Sequence, residues 1–338
     1  MKKLRVGEIQ SRVIGIYEGK RKGPLFICVG GMHGNEPAGV LAIREVLKML
    51  EVEPLGNPTF RYAGQFVGLI GNMAALTAQS RFINKDLNRQ FQRENILRLK
   101  SGSRSEYAVE DREMLALLQE INRLVAKYRP EKIVFMDIHT TTVSGGIFAI
   151  VPEDEEAIRI ACSLHVPIVR GMLEGIQGTT LHFFNKEHYG MNITSFALEA
   201  GQHQDPFAVN IAISGIIATM RAIGAVKPHD VEGLHDRVLK EYSRNLPRMT
   251  RLAYVYRITE DDQFRMYPGY LNFHRVVKGE ILGINKDGPV TAPVSGYILM
   301  PLYQKQGEDG FFIIQQTENT CVQYERQVDV SSEMENRA

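Results

Sequence analysis

Apolar and polar positions along this chain follow two rhythms, and the first clear signal is the run Leu25 to Val29. This short continuous apolar stretch feeds into Gly30-Gly31, which predicts a buried strand closed by a sharp turn. Val40, Leu41, Ile43, Val46, Leu47 and Leu50 then recur at helical spacing, so a helix is predicted from Pro37 to about Leu50. Proline suits the first turn of a helix, where its missing N–H would have no partner. Arg12 to Tyr17 predicts an earlier strand, set off from Leu25–Val29 by a turn over Glu18 to Gly23.

The same alternation continues. Thr59 to Ile70 is strand-like and stops at Gly71-Asn72, and a polar loop leads on through Arg89. Lys100 to Tyr107 has the composition of a solvated loop or a mobile lid. Val109, Met114, Leu117, Leu118, Ile121 and Leu124 predict a helix over Ala108 to Lys127. Lys132–Met136, Gly146–Val151 and Asn192–Leu198 predict strands, and Glu153–Ser163 and Phe207–Ile223 predict helices. The acidic first turn of the former complements its dipole. Alternation to about residue 245 predicts an α/β fold with a mixed central sheet flanked by helices. Arg251 to Gln323 instead shows short strands with turns at Tyr267-Pro268-Gly269, Val277-Lys278-Gly279, Asp287-Gly288-Pro289 and Ser295-Gly296. The predicted division is an α/β domain over 1–245, a smaller all-β domain over 250–328 and a flexible tail over 329–338. Gly279 to Leu299 looks like the hairpins of biotinyl/lipoyl-type domains, but it lacks an attachment turn, so a carrier role is not expected.

Composition narrows the class. The chain has 338 residues, 44% hydrophobic and 23% charged, enough to bury a sizeable core. A net charge of +1 gives no reason to expect nucleic acid or an acidic membrane as partner. No apolar run reaches the ~18 residues that would span a bilayer. Cys28, Cys162 and Cys321 are far apart without CxxC spacing, and Cys28 is expected as a buried free thiol. An odd cysteine count, with no apolar signal region in the first residues, predicts a reducing, cytoplasmic setting.

In open α/β sheets, ligands bind beyond the carboxyl ends of the strands. His33 and Glu36 follow the first such end, His139 the second and Glu199 a third. Two histidines and a glutamate are a known set for catalytic zinc, leaving a fourth position for water. Asp137, two residues before His139, could accept from the imidazole's other N–H. His-x-x-Glu by itself is a weak signal; following Gly-Gly at a strand end, with Asp-x-His at another, it becomes a candidate metal site.

Five segments in order then resemble the motif series of the succinylglutamate desuccinylase/aspartoacylase family, a branch of the zinc carboxypeptidase fold. They are Gly31-Met32-His33-Gly34-Asn35-Glu36, Asn72-Met73-Ala74-Ala75, Arg81 to Arg89 (RFINKDLNR), Asp137-Ile138-His139-Thr140-Thr141 and Leu198-Glu199-Ala200-Gly201. The resemblance covers about Leu25 to Gln204. It implies one zinc ion (Zn2+) per chain on His33, Glu36 and His139, with Glu199 as the general base that passes a proton from water to the leaving amine. It implies that Arg81 stabilises the oxyanion and that Asn88 and Arg89 hold a substrate carboxylate. Asp86 is left with three roles open: orienting Arg81, bonding His33, or capping a helix near Asn88. The implied function is a zinc-dependent deacylase acting on a small N-acyl amino acid. A carboxypeptidase-like peptidase is the alternative, and a non-catalytic binding protein is a third reading. Homo-oligomerisation is left open.

The chain departs from the family at one place. The aspartoacylase branch has a substrate-selecting arginine about ten residues before the base, and counting back from Glu199 gives Tyr189, with no arginine or lysine from His188 to Leu198. Tyr189 is therefore the expected substrate contact there, with Lys186, His182 or His188 as alternative sources of charge. Tyr297 and Tyr303 are candidates to enter the site from the all-β part.

Overall fold

The computed structural model describes residues 11–102, 106–227, 233–259 and 261–324. Strands β1 (Val13–Glu18) and β2 (Arg21–Gly30) are separated only by Gly19-Lys20, yet they do not pair with each other. They are followed by α1 (Ala38–Gly56), β3 (Ala63–Ile70), α2 (Met73–Ala78), a 3-10 turn (Leu87–Arg89), α3 (Arg93–Ser101) and α4 (Val109–Tyr128). Then come β4 (Ile133–Thr141), β5 (Phe148–Ile150), α5 (Glu155–Ser163), β6 (Ile168–Arg170), α6 (Met172–Gly175), α7 (Thr180–Phe183) and α8 (Lys186–Tyr189). The α/β part closes with β7 (Ile193–Gln202), α9 (Ala208–Ala222) and α10 (Leu234–Tyr242). Up to residue 316 the remainder is all β: β8 (Met249–Arg257), β9 (Arg265–Met266), β10 (Arg275–Val276), β11 (Ile281–Asn285), β12 (Gly288–Thr291), β13 (Gly296–Leu299) and β14 (Asp309–Gln316), and residues 321–324 are helical.

Eleven strands form one mixed sheet in the order β1-β3-β2-β4-β7-β5-β6-β8-β14-β13-β10, and β12-β11-β9 form a second small sheet. Its centre, β3-β2-β4-β7, is parallel, which requires helices on both faces. The period-2 alternation of β2 divides the core accordingly. Phe26 and Cys28 join one apolar cluster with α1 and α9, while Leu25, Ile27 and Val29 join another with Met114, Leu117, Ile121 and Leu124 of α4. The all-β part is attached by sheet hydrogen bonds, since β8 pairs in parallel with β6.

Several boundaries differ from expectation. Helix α1 runs to Gly56, past Leu50, because Glu51 to Glu53 continue the helix and Pro54 falls in its last turn. The stretch expected as a polar loop contains α2, whose first turn is capped by Asn72 accepting from the Ala75 N–H at 3.0 Å. The predicted loop over 100–107 overlaps the end of α3, and residues 103–105 of it lie outside the described residues. Strands β4 and β7 continue through His139 and Glu199 rather than ending before them. The predicted tail, 329–338, also lies outside the described residues. Cys28 is buried and free as expected, but Cys162 and Cys321 form a disulfide between α5 and the segment after β14. That pairing, across 159 residues, withdraws the odd cysteine count as an argument for a reducing compartment. Among the described residues, no helix is long and apolar enough to cross a membrane.

Candidate active site

The site forms where β2, β4 and β7 end side by side. After β2, Gly31 takes a left-handed φ of +67°, which turns the chain out of the sheet. Gly34 is required by contact: a Cβ there would lie 2.0 Å from the carbonyl carbon and oxygen of Ala75 in α2. This tight turn lifts His33 and Glu36 over the sheet edge, and the Glu36 N–H bonds the His33 carbonyl at 3.2 Å. Asp137 and His139 stand two apart on β4 and so share one face. His139 is directly in register with Glu199 on β7.

Three of the expected residues meet. His33 Nδ1 lies 2.9 Å from Glu36 Oε1, and His139 Nδ1 lies 3.1 Å from Glu36 Oε2. Donor atoms of His33, Glu36 and His139 all fall within 4.8 Å of one another, and all three side chains are buried. The outer nitrogens are also engaged: His33 Nε2 sits 3.2 Å from Asp86 and His139 Nε2 3.1 Å from Asp137. Carboxylates so placed fix the ring orientation of ligating imidazoles and leave Nδ1 for an ion. Asp86 fills all three roles left open for it. It faces His33, accepts from Arg81 at 2.8 Å through its other oxygen, and caps the 3-10 turn by accepting from the Asn88 N–H at 2.9 Å.

Four carboxylates converge here, Glu36, Asp86, Asp137 and Glu199, none more than 6% exposed. Burial disfavours charge on Glu36, but His33 and His139 outweigh it and hold its carboxyl well below the usual range. Burial opposes charge on Asp86 too, and His33 and Arg81 overcome it, so its pKa is likewise low. His139 is driven the other way: against burial, Asp137 and Glu36 hold its proton well above the usual range. Glu199 lacks such compensation. Burial, with Glu36 and Asp137 nearby, pushes it up to about 8 although His139 and Arg81 pull down. Its Oε2 is buried without a hydrogen-bond partner, as is Asp137 Oδ1. This excess of buried negative charge, with imidazole and carboxylate donors converging, fits a divalent cation of the zinc class.

Arg81 donates to Asp86, and its Nη1 lies 3.7 Å from Glu36. Asn88 lines the cavity, but its amide is engaged: Oδ1 accepts from the Thr180 N–H at 2.9 Å, and Nδ2 lies 3.4 Å from His139 Nε2. Arg89 also lines it, with Nη2 donating to Asp309 at 2.7 Å and Nε buried without a partner. Tyr189 does not belong to the site. The short helix α8 turns it away, so that it packs on Phe183 and Phe184 and donates to Asn122 at 2.8 Å. Lys186, His182 and His188 do not line the cavity either. Tyr303 spans Tyr267 and Tyr270, and Tyr297 packs in an apolar cluster, so neither enters.

The all-β part reaches the site through other residues. Leu302, Gln304, Glu308 and Asp309 line the cavity, and the strap that carries them is tied across it by Asn35 to Gln304 at 3.2 Å and Gln306 to the Phe82 carbonyl at 3.3 Å. The cavity is about 120 Å³ and opens to solvent. His203, four residues after Glu199, also faces it: Nδ1 bonds Thr140 at 2.7 Å and Nε2 has no partner. The signal for His203 was present, a histidine just past a strand end that carries a buried acid. Nothing in the sequence marks Asp309, 220 residues from its partner Arg89.

Comparison with known proteins bears on the fold and the family. A solved structure of succinylglutamate desuccinylase from Vibrio parahaemolyticus is similar over 88% of this chain and 83% of its own, with a TM-score of 0.58 and 16% identity. The product-bound ectoine utilization protein of Ruegeria pomeroyi is similar over 89% of this chain and 88% of its own, with a TM-score of 0.60 and 18% identity. At those identities the likeness concerns the fold. A protein of Nostoc sp. (strain PCC 7120) described as a probable aspartoacylase is 30% identical over 135 residues, 40% of this chain and 41% of that protein. The match thus spans about two-fifths of that relative's length. Residues 22–222, more than half of the chain, match the model of the succinylglutamate desuccinylase/aspartoacylase catalytic domain, and the protein belongs to that family.

Proposed function

We propose that this protein is a zinc-dependent hydrolase that cleaves the amide bond of an N-acyl amino acid or a similar small amide. The observation that carries the reading is the buried cluster of His33, Glu36 and His139 with Glu199 in register beside it. Those three side chains would hold one zinc ion, which when bound supplies Lewis acidity, making water acidic near neutral pH and polarising a carbonyl oxygen. Glu199 then acts as general base. Burial raises the proton affinity of its carboxylate, so the ionised form is suited to accept a proton from water and deliver it to the leaving nitrogen. Arg81, held by Asp86, offers its guanidinium to the oxygen that gains charge as the amide carbon becomes tetrahedral. Asn88 and Arg89 take a substrate carboxylate, with Arg89 exchanging part of its contact with Asp309.

The strap over the cavity supports a small substrate over a polypeptide, since a chain on both sides of the scissile bond would collide with Gln304 and its neighbours. We also propose that residues 1–245 form the hydrolytic unit and 250–328 the part that narrows its entrance. The test is a hydrolysis screen over N-acetyl, N-succinyl and N-formyl amino acids, before and after chelation. Activity lost with chelator and restored by zinc is expected; hydrolysis indifferent to chelator would rule the reading out.

A further inference from the structure

The cavity has two unlike sides. Around the His33–Glu36–His139 cluster it is polar. Elsewhere it is the open edge of an apolar cluster formed by Ile150 of β5, Met172 and Ile176 at α6, Leu181 of α7, Ala197 of β7 and Phe312 of β14. Ala197 stands two residues before Glu199 on the same strand, so the apolar side begins beside the acid itself.

Cations are scarce there. No lysine lines the cavity among the described residues, and its two arginines already face acids: Arg81 meets Asp86 at 2.8 Å and Arg89 meets Asp309 at 2.7 Å. Asp309 is 8% exposed. Its Oδ1 has no hydrogen-bond partner and forms an ion pair at 3.6 Å with the half-exposed Arg257. Arg89 can accept one substrate carboxylate through its unpartnered Nε and the edge it shares with Asp309. Away from His203 and the threonines beside it, a second carboxylate would meet the apolar side or the like charges of Asp309 and Glu308. An ion moved from water to apolar contact without a partner is strongly disfavoured, while each buried methylene is favoured.

We infer that, granting the deacylase reading above, the substrate carries a single carboxylate and an apolar group, and that Asp309 with the apolar side excludes dicarboxylic substrates. The apolar group is either the amino acid side chain or the acyl chain; both present the same chemistry to Ile176 and Phe312.

The experiment compares kcat/KM of the zinc-loaded protein for N-acetyl-leucine, N-hexanoylglycine, N-acetylaspartate and N-succinylglutamate. One of the first two should exceed both acidic compounds by about a hundredfold or more. N-acetyl-leucine ahead assigns the apolar side to the amino acid, and N-hexanoylglycine ahead assigns it to the acyl group. An acidic compound that is preferred, or within threefold of the best apolar one, overturns the inference. Asp309→Asn should narrow the discrimination at least tenfold by removing the repelling charge, and Ile176→Arg should shift preference toward the acids; unchanged discrimination in both overturns it. Should none of the four turn over, the deacylase reading falls, and the inference is decided by calorimetric binding of the same compounds to zinc-loaded Glu199→Gln protein. Tighter binding of either apolar compound then upholds it, and tighter binding of an acidic one overturns it.

Discussion

Asp86 is the residue through which the two halves of the site communicate, because one carboxylate serves both His33 and Arg81. Asp86→Asn keeps the shape but weakens the acceptor for both. Carboxylates behind metal-bound histidines contribute about 10–100-fold to affinity, so zinc affinity, measured by competition with a chromogenic chelator, should fall by that order. An unchanged affinity would remove Asp86 from the metal site. Glu199 leads to a pH prediction. In the metal-free protein its pKa is raised from 4.5 to about 8, so between these values the folded state holds a proton that the unfolded chain has lost. Stability then falls as pH rises through that window. Glu199→Gln has no proton to lose, so its Tm advantage over the parent should widen from about pH 5 to about pH 8. Parallel Tm curves would contradict the assignment. His33, Glu36, His139 and Glu199 were legible because each interrupts an apolar strand or follows its end, where a polar side chain has no structural reason to be. Tyr189 misled because counting back along the chain ignores the turn of α8, which points it at Phe184 instead.

At the level of elements, the β2–turn–α1 unit does most to place His33 and Glu36. Its strand and helix were readable from period and from Gly-Gly-…-Pro punctuation. The reason for Gly34 was not, since it lies in the approach of α2, a helix hidden in a polar sequence. Overpacking of this kind costs about 1–3 kcal/mol. Gly34→Ala should therefore destabilise by that order in denaturant titration and also loosen zinc binding, because the turn that moves carries His33 and Glu36. Destabilisation without any loss of zinc affinity would show that the turn tolerates displacement. Helix α3 escaped notice for a related reason: only Ile96 and Leu99 of its residues are buried, too few to set a periodic pattern.

Across the whole molecule, the sheet joins what the sequence divides. The change from α/β to all-β composition after about residue 245 is visible in the chain, and β8 does begin the second kind of structure. Pairing of β8 with β6, the strap from Pro301 to Glu308, and Arg89 with Asp309 are contacts between residues about 80 to 270 apart, and no local pattern encodes them. They nevertheless shape the entrance of the cavity, whereas the His33–Glu36–His139 cluster is largely a property of motifs. The central claim is that a zinc ion and Glu199 together perform hydrolysis, with separable roles. Glu199→Gln protein, assayed side by side with the parent for zinc content and for turnover of the best N-acyl amino acid, tests it most directly. We predict about one zinc per chain in both and a kcat lower by about a hundredfold or more in the variant. A variant that keeps more than a tenth of the parent's kcat with its zinc in place would contradict it.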